Sequence, residues 1–215
     1  MRRKVTGFAR PLVRGPLPGI GRGLTASEAG QFDNYLELLT KWQNVHRLVG
    51  SVEPAWVAEN VVLDSLAFLE ALPADVARVA DLGSGAGIPG IPIAIVRPAL
   101  QLCLIEARQR RASFLSTVVR ELGLDHVEVV ATRAESLGTE YHGRFDAVVM
   151  RCAGRATSIL GVAMRFVRPR GTVVMSAGPS AEPASGAESL TVRTPTGTLR
   201  TFHRYRMGPN LDIDR

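Results

Sequence analysis

Residues 81–94 read DLGSGAGIPGIPIA, with Gly83, Gly85 and Gly87 at alternating positions after the apolar run RVADL (78–82) and two prolines close behind. A chain can pass that abruptly from strand to helix only where side chains are missing, because glycine alone adopts left-handed backbone without steric cost. What surrounds the turn sets its context. QLCLIE (101–106), VEVVA (127–131), FDAVVM (145–150) and GTVVMSA (171–177) are further apolar runs without polar alternation. Between them lie helical patterns: IPIAIVR directly after the glycines, then Phe114, Leu115, Val118, Val119 and Leu122 stopped by Gly123. A later one carries Ile159, Leu160, Ala163, Met164 and Val167 and ends at Pro169. Strands of this kind interleaved with helices predict an α/β, Rossmann-like fold with a mostly parallel sheet covered on both faces. SLTVRT and TLRTFHRYRM, on either side of Pro195-Thr196-Gly197, predict a closing antiparallel hairpin.

Upstream of the sheet, Thr25 and Glu28 have capping-box spacing and open a helix with Phe32, Tyr35, Leu36, Leu39, Trp42 and Val45 on its inward face. A second helix starts near Pro54, carries Val57, Val61, Leu66, Leu69 and Leu72 inward, and ends before Pro73. Two such helices cannot form a domain alone, so they are expected to pack on the sheet. The predicted organisation is a basic, disordered arm over 1–23, a helical region over 24–73 and the α/β domain over 74–215. The arm holds the whole charge excess of +6: residues 1–22 contain six basic residues and no acid, leaving 20 basic against 20 acidic elsewhere. An acid-free arm of this kind suits phosphate contacts; a transit peptide, although the arm lacks serine, and a solvated tail without a partner are the alternatives. No apolar run approaches the roughly 20 residues that span a bilayer. Cys103 and Cys152, which sit inside apolar strand-like runs, form no disulfide framework or paired metal spacing, which points to a reducing cytoplasm.

The glycine spacing restricts the ligand. A dinucleotide fingerprint is G-x-G-x-x-G, whereas Gly83-Ser84-Gly85-Ala86-Gly87 is G-x-G-x-G, and Gly90 completes no such fingerprint. The shorter spacing, with Asp81 ahead of it, favours a cofactor without a pyrophosphate. Glu106 closes the second strand about 20 residues later, where an acid accepts hydrogen bonds from ribose hydroxyls in this architecture. The same acid could instead cap the following helix.

Taken together, DLGSGAGIPGIPIAIVRP, LIEARQRRASFLSTVVRELGL and TRAESL resemble the bacterial RsmG (GidB) family, and YLELLTKW with ENVVLDSLAFL is similar to its N-terminal helical region. The resemblance covers roughly residues 30–175. It implies a class I S-adenosylmethionine-dependent methyltransferase making N7-methylguanosine in 16S rRNA, with the small ribosomal subunit as partner. It also implies site residues. Gly83 would meet the methionine end by its backbone, within the Gly83, Gly85 and Gly87 turn, and Ile88 would add an apolar contact. Ala134 and Glu135 would border the adenine, and Arg151 matches the family's arginine near cofactor and target.

Several family marks differ. The family's S-R-A reads Met150-Arg151-Cys152, its lysine after the fifth strand is replaced by Ala177, its Arg-His by Glu59-Asn60, and its N-L-T by Arg47-Leu48-Val49. These changes fall on the substrate side and leave the cofactor side intact. A methyltransferase on another RNA or a small molecule, and a non-catalytic RNA-binding or ribosome-assembly protein, therefore stay open beside the rRNA enzyme. No catalytic triad, H-E-x-x-H or paired-carboxylate pattern stands out, and His46, His126, His142 and His203 are scattered. Methylation of guanine N7 needs none of these, because the ring nitrogen already offers a lone pair. No catalytic base and no metal are expected, and Cys152 is expected to be filler, not a nucleophile.

Overall fold

The computed structural model describes residues 15–151, 156–177 and 183–209. Seven strands form one sheet: β1 Arg78–Leu82, β2 Gln101–Ile105, β3 Val127–Val130, β4 Phe145–Arg151, β5 Val167–Ala177, β6 Glu188–Arg193 and β7 Leu199–Arg206. Their spatial order is β3-β2-β1-β4-β5-β7-β6. The first five run parallel, while β7 pairs antiparallel with both β5 and β6, so the expected hairpin closes one edge. Chain order reverses between β1 and β4, and in open α/β sheets that crevice takes the ligand.

The helices are α1 Ala26–His46, α2 Pro54–Val57, α3 Asp64–Ala71, α4 Gly90–Val96, α5 Gln109–Leu122 and α6 Ala156–Phe166. A π-helical turn, Ala58–Leu63, joins α2 to α3. The predicted capping box is formed: Thr25 Oγ1 accepts from the Glu28 amide at 3.2 Å and Glu28 Oε2 from the Thr25 amide at 2.7 Å. At the other end of a helix, Gly123 caps α5 in the left-handed conformation with φ 63°. One hydrophobic cluster joins α1, α3, α4 and α5 to one face of the sheet, so the helical region shares its core with the strands. A second cluster, with Ala163 and Phe166 of α6, covers the opposite face.

Three expectations need correction. The arm does not stay apart from the fold as far as residue 23. Leu17 is buried, the Gly19 amide donates to Glu70 Oε1 at 2.6 Å, and Arg97 bonds to the Gly19 carbonyl. Leu17 and Leu24 supply the apolar area that anchors this end, while residues 1–14 lie outside the described residues. Val45, expected inward, is 74% exposed. The buried face of α1 ends with Leu39 and the partly buried Trp42, whose ring meets Phe114 of α5 at 5.5 Å, and the last turn projects beyond that contact. Finally, Pro169 does not terminate α6. The helix stops at Phe166 and β5 begins at Val167, with Pro169 inside an irregular stretch where pairing jumps from Phe145↔Val167 to Ala147↔Thr172. A proline without an amide hydrogen is tolerated in a strand at such a bulge.

α4 reaches the sheet through Gly90. A Cβ there would lie 2.3 Å from Leu104 Cδ2 and 2.8 Å from Asp81 Oδ2. Gly90→Ala is therefore expected to destabilise the protein by roughly 1–3 kcal/mol, the usual cost of overpacking, read by urea unfolding. An unchanged midpoint would show that α4 is free to move off the strands.

Candidate active site

The site is assembled at the carboxyl ends of β1, β2 and β4. After Leu82 the chain turns within a few residues, because Gly83, Gly85 and Gly87 all have positive φ: 73°, 58° and 87°. The Gly83 and Ser84 amides both donate to the Ile105 carbonyl, at 2.8 and 3.2 Å, which fixes the loop to the end of β2. The glycines differ in what they face. A Cβ on Gly83 would meet nothing within 4 Å, whereas one on Gly87 would strike Ile91 Cγ1 at 2.5 Å. Gly83 thus opens the backbone toward solvent, and Gly87 seats the loop on α4. Ile88 is buried beside it.

Glu106 is buried and holds this loop. Its Oε2 accepts from the Gly85 amide at 2.9 Å and its Oε1 from the Arg108 amide at 2.8 Å. Arg108 is the N-cap residue of α5, so Glu106 does satisfy the entry to that helix, as one reading of the sequence anticipated. The two roles are compatible, since each carboxylate oxygen carries a second acceptor position. From the other side Tyr35 of α1 donates its hydroxyl to the Ala86 carbonyl at 2.8 Å. Burial pushes the Tyr35 phenol well up, so it stays a neutral donor.

Asp81 lies fully buried under the turn. Its Oδ2 accepts from the Gly90 amide at 3.0 Å, while Oδ1 is buried without a hydrogen-bond partner. Burial pushes this carboxyl up to about 7, against the downward pull of the Gly90 amide. A buried acceptor without a partner is what a bound donor or cation would complete.

Arg151, at the end of β4, sits in a charged cluster that the sequence did not announce. Its Nη1 donates to the Asn60 carbonyl at 2.8 Å and its Nε lies 3.2 Å from Asp64 Oδ2. Arg200 of β7 lies 3.1 Å from Asp64 Oδ1 and 3.2 Å from Glu59 Oε1. Thr194 and Thr196, from the turn between β6 and β7, also donate to Glu59. Burial raises the Asp64 carboxyl from its ordinary range, with Arg151 and then Arg200 opposing the rise. Asp64 opens α3 directly after the π-helical turn, an irregularity common at functional sites. The divergent Glu59-Asn60 pair is thus part of the contact that places Arg151, and Met150 is buried in the core.

Ala134 and Glu135 occupy a single 3₁₀ turn, Ala134–Ser136, beyond the end of β3, with Ala134 buried and Glu135 exposed. β3 adjoins Glu106, whose amide donates to the Val130 carbonyl at 3.0 Å. The histidines stand apart: His126 Nε2 is 3.1 Å from the Ala94 carbonyl and His203 Nδ1 is 3.0 Å from Ser189 Oγ. Cys103 is buried in β2, its thiol pushed up to about 12, and Cys152 lies outside the described residues. Among the described residues no group of three or more His, Cys, Asp or Glu side chains is placed to hold a metal ion, and no helix is long and apolar enough to cross a membrane.

Residues 28–192 match the family model described as GidB, rRNA small subunit methyltransferase G. The chain belongs to that family. The ribosomal RNA small subunit methyltransferase G of Sorangium cellulosum is 41% identical over 90% of this chain and 84% of its own length. That of Brevibacillus brevis is 33% identical over 87% of this chain and 80% of its own. Among solved structures, TYW2 of P. horikoshii in complex with MeSAdo superposes with a TM-score of 0.56 at 16% identity, covering 77% of this chain and 67% of that one. A SAM-dependent methyltransferase from Aquifex aeolicus gives 0.51 at 14% identity, covering 71% of this chain and 93% of that one. The fold is that of class I S-adenosylmethionine-dependent methyltransferases. In this member of the GidB family, Tyr35, Asp64 and Arg200 join the site through contacts remote in sequence, and only their polarity on otherwise apolar or alternating elements hints at them.

The buried Asp81 carboxyl has a stability consequence. Its native pKa of about 7 lies above the ordinary unfolded value, so between pH 4 and 7 the native state binds more protons than the unfolded state. Stability of the ligand-free protein should therefore fall as pH rises through that window, by at most about 1.4 kcal/mol per pH unit, and level off above it. Asp81→Asn is expected to flatten this difference in urea-unfolding curves. An identical pH profile in the variant would contradict the assignment.

Proposed function

We propose that this chain transfers a methyl group from S-adenosylmethionine directly, in line, to N7 of a guanine in 16S rRNA. The observation that carries the reading is the G-x-G-x-G turn of a GidB-family chain, open at Gly83 and pinned at Gly85 by the buried Glu106. The residues present fit this cofactor: the free acceptor positions of Glu106 suit ribose hydroxyls, and the orphaned Asp81 Oδ1 suits a donor from the amino-acid end. When bound, S-adenosylmethionine supplies a methyl group on a good leaving sulfur.

The chain's own work is positioning. Gly83 allows close backbone approach, while Gly85 and Gly87 shape the turn and Ile88 gives an apolar contact. Ala134 and Glu135 border the adenine. Arg151, held by Asp64 and the Asn60 carbonyl, orients the acceptor beside the turn. Guanine N7 presents its lone pair without losing a proton, so no general base is required, and orientation can lower a barrier by around 7–11 kcal/mol in favourable cases. The small ribosomal subunit, or its free 16S rRNA, is the partner, and the cytoplasm is where that partner is found.

Labelled methyl transfer to 16S rRNA and to small subunits, with the modified base mapped, tests this reading. Label on N7 of one guanine is expected. Arg151→Gln should lower the transfer rate by about 10–100-fold, equivalent to roughly 1.4–2.8 kcal/mol of barrier, with S-adenosylhomocysteine affinity changed far less. Label on another RNA or a small molecule would replace the substrate, and cofactor binding without transfer to any of them would leave a non-catalytic RNA-binding protein.

A further inference from the structure

α1 and α5 lie side by side in opposite directions. Gln31 Nε2 of α1 donates to the Leu122 carbonyl at the end of α5, at 3.1 Å, and eleven residues later Trp42 meets Phe114. One further turn, about 5 Å along each axis, brings the end of α1 beside the start of α5. The charges there are of one sign. Lys41, Arg47, Arg108 and Arg110 are exposed and Arg111 is partly so. No acid occurs from residue 38 to 52 or from 107 to 120. Val45, on the last turn of α1, is 74% exposed, and the same turn brings His46 against Trp42 at 5.3 Å. The first turn of α5 has no acidic residue, and the one carboxylate at its entry, the buried Glu106, is engaged by the Arg108 and Gly85 amides.

This edge abuts the site. A Cβ on Gly85 would lie 3.6 Å from Arg111 Nη1, which places the start of α5 against the glycine turn. Elsewhere on the described surface Arg144 pairs with Glu128, Arg168 with Asp146 and the partly buried Arg204 with Glu188. The α1–α5 edge carries no such compensating carboxylate in those two stretches of sequence.

We propose that the α1–α5 edge, centred on Arg47, Arg110 and Val45, is the surface on which the RNA strand adjoining the target nucleotide docks, its phosphates on the arginines and a ribose or base against Val45. The inference rests on the rRNA-methyltransferase reading for the identity of the RNA, and on charge complementarity for the surface. A polyanion gains by releasing counterions from each phosphate that is neutralised. An edge reaching to the cofactor turn would let the bound strand set the position of the base presented to it.

The test is the salt dependence of binding to a 16S rRNA transcript. For the wild type, log affinity should fall linearly with log salt concentration. Arg47→Gln/Arg110→Gln, both at exposed positions, should reduce the magnitude of that slope by about 1.4–1.8, or 0.7–0.9 for each phosphate no longer neutralised. A matched pair away from both helices, Arg144→Gln/Arg168→Gln, should leave the slope as in the wild type, and S-adenosylhomocysteine affinity should be equal in all three proteins. An unchanged slope in the edge variant, or an equal reduction in the distant pair, would overturn the proposal. Because the slope reads binding and not transfer, it decides the edge separately from methylation: label appearing elsewhere in the transfer assay would refute the substrate reading alone.

Discussion

Two backbone amides, from Gly85 and Arg108, converge on the one buried carboxylate of Glu106. That bridge connects the turn after β1 to the entry of α5, across the end of β2. On the other side of the turn Tyr35 holds Ala86, and beneath it Asp81 holds the first amide of α4. The turn is therefore clamped from three directions by groups on α1, on β1 and directly after β2. Backbone with three left-handed residues within five positions is entropically costly to order. The clamps settle that cost in folding, so a ligand meets a preformed surface.

The same logic extends to the acceptor side. Arg151 stands at the end of β4 between the turn and the charged cluster around Asp64, and its charge is felt at Tyr35 together with that of Asp81. The C-terminal hairpin reaches this cluster through Arg200, Thr194 and Thr196, so its closure against the sheet also positions α3 and the π-helical turn. Removing Asp64 from this arrangement would leave two guanidinium groups without their shared partner. A buried ion pair can add little net stability and still be costly to break, because the remaining charge is left uncompensated.

Much of this was legible in the sequence because it depends on local chemistry. The capping box at Thr25, the stop at Gly123, the five buried strands and the hairpin at Pro195-Thr196-Gly197 each have a signal within a few residues. Gly83, Gly85, Gly87 and Glu106 were readable too, since spacing along one strand–turn–helix unit fixes their relation. What escaped was long-range. Arg200 meets Glu59 across 141 positions, and Tyr35 meets Ala86 across 51. No periodicity encodes such pairings. Val45 misled because helical spacing says which face a residue shares but not where the neighbouring helix ends. Pro169 misled because a bulge admits proline in a strand. The arm misled because Leu17 and Leu24 are too sparse to mark a packed segment.

The central claim is that the clamped G-x-G-x-G turn accepts a nucleoside sulfonium and refuses a dinucleotide. Titration calorimetry of the purified protein with S-adenosylmethionine and, separately, with NAD addresses it most directly. Saturable binding of S-adenosylmethionine, weakened at least tenfold in Glu106→Ala, with no heat from NAD, is the expected result. Equal binding of NAD, or S-adenosylmethionine affinity indifferent to Glu106, would contradict it.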